Sequence, residues 1–158
     1  MAATAARRLL APRAGLAAGD DAGPKAGQVR PAILPARPPG ELSLAGHRVL
    51  VVDDEPMILE ILVDHCAWLG MAVQEADDGA LALRALERNP GIELLVTDVR
   101  MPGLDGPGLV ERALVLRPQL KVIFITGYTT HYSTAWPTLR KPFDLDALDA
   151  ALRRALLT

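Results

Sequence analysis

Five side chains carry the chemical potential of this chain, and each stands at the end of an expected strand. Asp53 and Asp54 stand together after the first such strand, Asp98 follows another, Thr126 ends a third, and Lys141 ends a short one before Pro142. Three carboxylates gathered in one place repel one another and drive at least one pKa upward. A hard divalent cation relieves that repulsion, and carboxylate and carbonyl oxygens with waters suit Mg²⁺ better than zinc. His47, His65 and His131 are scattered and Cys66 is the single cysteine, so no soft-metal cluster competes. A carboxylate is a weak nucleophile, yet it can accept a phosphoryl group when the oxygens around phosphorus are neutralised. A hydroxyl at Thr126 and an ammonium at Lys141 are suited to that task.

These residues meet only if the elements that carry them are neighbours. From His47 onward, strands and helices alternate. Arg48–Val52, Met71–Glu75, Ile92–Thr97, Leu120–Ile125 and Leu139–Lys141 read as strands. Helices are expected from Pro56 to Leu69, with Ile58, Ile61, Leu62 and Leu69 inward, and from Asp78–Gly79 to Asn89. Two more are expected over Pro107–Leu116 and Asp144–Leu156, the last capped by Asp144. Five strands alternating with helices predict an α/β fold, a doubly wound five-stranded parallel sheet of flavodoxin-like order 2-1-3-4-5. Ligands of such sheets sit beyond the carboxyl ends of the strands, where Asp53, Asp54, Asp98, Thr126 and Lys141 all fall.

Through Gly46, six basic and three acidic residues give +3, which leaves −5 for the remainder of a chain of net charge −2. An acidic domain with a weakly basic leader offers no broad surface for nucleic acid or an anionic membrane. No apolar stretch approaches the roughly 20 residues that span a bilayer. One cysteine forms no intrachain disulfide and fits a reducing, cytoplasmic setting. Residues 1–45, rich in Ala, Pro, Gly and Arg, are expected to be a disordered tail, and residues 46–158 the folded domain.

At the motif residues the chain resembles the bacterial response-regulator receiver family over about residues 47–157. VLVVDDE at 49–55, LLVTDVRMPGLDG at 94–106 and RKPF at 140–143 carry the resemblance. It implies that Asp98 is the phosphoacceptor, served by a histidine kinase or a histidine phosphotransfer protein. It implies Asp54 as a direct Mg²⁺ ligand, Asp53 as a ligand mainly through water, and the backbone carbonyl of Arg100 as another. Thr126 and Lys141 become the groups that sense the phosphoryl, and the Lys141–Pro142 peptide a candidate for the cis state. Phe124-Ile125-Thr126-Gly127-Tyr128 is similar to the FAT GUY subgroup of single-domain receivers, with Ile125 and Thr129 departing from its pattern.

Two further departures stand out. Thr138 occupies the place of the family's switch aromatic, and the stretch from Thr126 to Lys141 is short by about two helical turns. A reduced fourth helix is therefore expected, with residues 127–138 as an order–disorder switch displaying Tyr128, Tyr132 and Trp136 to a downstream partner. The resulting expectation is a phosphorelay receiver without an output domain, one that catalyses only its own aspartyl phosphorylation and dephosphorylation. Alternatives are a degenerate receiver that binds partners without phosphorylation, or a haloacid-dehalogenase-like phosphatase. The latter needs Asp-x-Asp after its first strand, where this chain has Asp53-Asp54-Glu55. No nucleotide-binding Gly-x-x-x-x-Gly-Lys-Ser/Thr loop is present.

Overall fold

Valine and leucine fill four of the five positions of Arg48–Val52 (β1), and branched side chains of that kind favour an extended chain packed on both faces. The computed structural model describes residues 29–30, 43–127 and 135–158. Its further strands are Ala72–Ala76 (β2), Leu94–Asp98 (β3), Lys121–Thr126 (β4) and Thr138–Arg140 (β5). They pair in parallel in the order β2-β1-β3-β4-β5, so the expected five-stranded sheet is present. Every residue of β3 is buried, which fits the apolar Leu94-Leu95-Val96 run that opens the strand.

The helices are Pro56–Trp68 (α1), Gly79–Arg88 (α2), Gly106–Leu116 (α3) and Leu145–Leu157 (α4). Three begin with an aspartate whose side chain accepts a backbone N–H. Asp78 caps Leu81, Asp105 caps Gly108 and Asp144 caps Ala147, at 2.7, 2.9 and 2.7 Å. The first helix differs: Pro56 opens it, and Glu55 precedes it without capping it. Gly70 then ends the turn at φ +87°, a conformation that any side chain would strain.

The core has two layers, one on each face of the sheet. Leu59, Leu62, Val63 and Cys66 of α1 and Leu148 and Leu152 of α4 meet Val49, Val51, Leu94 and Ile123. On the other face Ala82 and Leu86 of α2 and Leu109 and Ala113 of α3 meet Leu50, Leu95 and Phe124. The inward stripe of α1 departs from expectation at one place: Ile61 is exposed, because Leu59 and Val63 take the core positions on either side of it. Arg117, at the end of α3, donates its guanidinium to the carbonyls of Leu86, Asn89 and Ile92, tying α2 to α3 at the rim away from the aspartates.

Two features fall within the stretch expected to be tail. Val29–Arg30 pairs antiparallel with Val73 and Gln74 of β2, adding a short sixth strand to that edge. Leu44 is buried in the first core layer, so packed structure begins before residue 46. The expected reduced helix and switch segment lie largely at residues 128–134, outside the described residues. Trp136, beside it, is half-buried against the second core layer. Among the described residues no helix is long and apolar enough to cross a membrane.

Candidate functional site

The ends of β1, β3, β4 and β5 share one rim because the ladder brings them into register. Val52 pairs with Thr97, Asp98 with Ile125, and Thr126 with Arg140. One residue beyond these pairs lie Asp53 on one side and Lys141 on the other. Lys141 N donates to the Thr126 carbonyl at 2.7 Å, which holds the lysine against the end of β4. The Lys141–Pro142 peptide is cis, as the resemblance led us to expect.

Lys141 Nζ lies 3.0 Å from Asp53 Oδ2, 3.2 Å from Asp98 Oδ2 and 3.1 Å from Glu55 Oε1. Asp53, Asp54 and Asp98 can each place a carboxylate oxygen within 4.8 Å of the others. Asp53 is fully buried and Asp98 nearly so, whereas Asp54 is exposed. Thr126 is buried beside them, its hydroxyl donating weakly to the Gly127 carbonyl at 3.3 Å. Arg100 is exposed, and its backbone N–H donates to the Asp98 carboxylate. All the expected site residues therefore gather at one rim of the sheet.

The electrostatics follow from this crowding. Burial pushes the Asp53 carboxyl from an ordinary 3.8 up to about 6. The Glu55 N–H at 2.9 Å and the Lys141 ammonium hold it below where burial alone would put it, and the Asp98 charge adds to the rise. Burial also raises Asp98, with Lys141 and the Arg100 N–H opposing and Asp54 reinforcing. For Lys141, burial alone would lower the pKa, but hydrogen bonds and charges from Asp53, Glu55 and Asp98 outweigh it and raise it. The site thus holds more negative charge than one ammonium balances.

That imbalance is the test of fit for a cation. Asp53 Oδ2 is buried and receives no hydrogen bond of good geometry, although the ammonium is near. The ammonium is shared among Asp53, Asp98 and Glu55, so the buried Asp53 carboxylate still favours further positive charge beside it. The donor set is all oxygen and partly open to water through Asp54, which fits Mg²⁺ with several waters retained.

Glu55 is the member of the site that motif reasoning passed over. The signal for it was its position: it follows the aspartate pair directly and precedes Pro56, so its backbone is fixed at the rim. Its partner lies 86 residues away, and no local pattern reports that distance.

Comparison with known proteins agrees with this geometry. A model of the response regulator receiver domain matches residues 49–153. The response regulator receiver protein CpdR of Brucella abortus is 38% identical over 81 residues, covering 51% of this chain and 67% of CpdR. The DNA-binding transcriptional regulator NtrC of Escherichia coli K12 is 34% identical over 116 residues, 68% of this chain. The chain spans only 24% of the length of that relative. Among solved structures, the chemotaxis protein CheY4 of Vibrio cholerae superimposes with a TM-score of 0.66 at 26% identity, covering 71% of this chain and all of CheY4.

Proposed function

The chain belongs to the response regulator receiver family, and from that premise we propose that Asp98 is its phosphoacceptor in a two-component phosphorelay. The observation that carries the assignment is the convergence of Asp53, Asp54, Asp98 and Lys141 within contact distance at the ends of β1, β3 and β5. A carboxylate oxygen of Asp98 attacks phosphorus, and the bond to the phosphohistidine nitrogen of a histidine kinase or phosphotransfer protein breaks. Asp53, Asp54, Asp98 and the Arg100 carbonyl would hold Mg²⁺, which when bound supplies positive charge against the phosphoryl oxygens. Lys141 offers up to three N–H donors to another oxygen, and the Thr126 hydroxyl turns from Gly127 to a third.

The chain catalyses only its own phosphorylation and dephosphorylation, and the change at Thr126 passes to the segment after it and alters partner binding. The FAT GUY resemblance at 124–128 supports that route, because its departure at Ile125 lies next to the hydroxyl that moves. The acidic domain gives no reason to expect direct contact with DNA.

Incubation with acetyl phosphate and Mg²⁺, followed by intact-mass measurement, tests the assignment. The wild type should gain one phosphoryl group, labile to acid and base, and Asp98→Asn should gain none while staying folded. A stable label on a serine or histidine of the wild type would overturn the aspartyl-phosphate mechanism.

A further inference from the structure

Lys141 has one positive charge and three carboxylates around it, and the third is out of keeping with the other two. Asp53 and Asp98 are buried in the walls of the site, whereas the Glu55 side chain is 62% exposed. Its Oε1 is nevertheless as close to the ammonium as either aspartate, at 3.1 Å. Glu55 sits at the start of α1 but makes no side-chain cap there, so its carboxylate has left the local role that its place in the chain offers. Its backbone, by contrast, is held from both sides. The Glu55 N–H donates to Asp53 Oδ1 at 2.9 Å, and its carbonyl accepts from Leu59 at 3.0 Å. A pinned backbone with a free side chain makes a carboxylate that can take hold of Lys141 and let it go.

We propose that Glu55 is a positioning residue that competes with the incoming phosphoryl group for the Lys141 ammonium, and so sets how tightly the site holds a phosphoryl-like anion. The inference rests on the phosphoacceptor reading and deepens it. An ammonium has three N–H donors, and in the unphosphorylated protein three carboxylates surround them. The ammonium bonds Glu55 and Asp98 and pairs with Asp53 by charge, so an anion on Asp98 competes with these contacts for it. The partner surrendered is the one whose carboxylate water can best solvate, which is exposed Glu55. An exposed ion pair of this kind shifts an equilibrium constant by at most about fivefold, so the effect is a tuning rather than a switch.

Titration with beryllofluoride at saturating Mg²⁺ reads this directly, using the full chain and three forms of residue 55. Glu55→Gln should bind beryllofluoride about two- to fivefold more tightly than the wild type. Glu55→Asp separates competition for the lysine from a general charge effect. It keeps the negative charge on the same pinned backbone but shortens the reach by one carbon–carbon bond, about 1.5 Å. If Glu55 acts through Lys141, Glu55→Asp should resemble Glu55→Gln. If Glu55→Asp matches the wild type while Glu55→Gln tightens, mere charge is at work and the proposal is overturned. Equal or weaker binding by Glu55→Gln overturns it as well. A wild type that binds no beryllofluoride at all would instead strike down the phosphoacceptor reading on which the proposal stands.

Discussion

Asp53 and Asp54 are adjacent in the chain and opposite in surroundings. Asp53 points into the protein, where burial raises its pKa and Lys141 partly offsets that rise, while Asp54 faces water at the rim. This difference predicts different shares in holding a cation. A ligand that binds only the folded state stabilises it, by about 2.7 kcal/mol at a concentration one hundred times its dissociation constant. Mg²⁺ in the millimolar range should therefore raise the melting temperature. Asp54→Ala should cancel most of the rise, since it removes the carboxylate best placed to meet a hydrated ion. Asp53→Ala should reduce the rise less, because Lys141 already balances part of that charge. Calorimetry with and without Mg²⁺ measures both, and a full shift retained in both variants would place the ion elsewhere. Cys66 lies in the first core layer, where burial pushes its thiol up to about 12, which makes it a core side chain rather than a nucleophile.

The loop after β3 is held in place by the helix that follows it. Val99 N–H donates to Ile125, and Gly106 N–H returns to Val99, so residues 99–106 close on themselves beneath α3. Gly106 is required there for space rather than for an unusual φ. A Cβ at that position would lie 2.2 Å from the Asp98 carbonyl and 2.9 Å from Val99 Cα, both backbone atoms that cannot rotate aside. Gly106→Ala should therefore cost about 1–3 kcal/mol, the range for overpacking, and should also slow labelling by acetyl phosphate as the Asp98 backbone shifts. Denaturant unfolding alongside labelling rates would detect both, and unchanged values for both would mean that the loop yields freely. The sequence could announce the glycine at 106 but not its neighbour. The same holds elsewhere at this scale. Strand ends were legible because continuous apolar runs stop at a polar residue with chemistry, as at Asp53 and Thr126. The Ile61 position was not, since helical spacing alone did not decide which stripe of α1 faces the sheet.

Among the described residues, the sheet has a chemical rim and an edge along which two residues of the same chain pair. Val29–Arg30 lies along β2, pairing with Gln74 and Val73. Covering an edge strand limits pairing with other chains. Nearer the domain, Ser43–His47 forms a turn over the end of α1. Gly46 at φ +85° donates its N–H to the Gly70 carbonyl, and His47 N–H donates to Leu44. That turn drives Leu44 into the first core layer. Averaged composition concealed this, because the overall character of a segment does not say which of its leucines packs. Its place is set by a core layer shared by α1, α4 and the sheet, which only the folded chain brings together. Leu44 thus belongs to the packed core, and Leu44→Ala provides the test. Removing a fully buried leucine side chain should cost about 2–5 kcal/mol, depending on how far the cavity collapses. Urea unfolding of the full chain, with the slope compared to show that the unfolded states match, measures that cost. A loss below about 1 kcal/mol would return Leu44 to the tail, since exposed positions rarely exceed that.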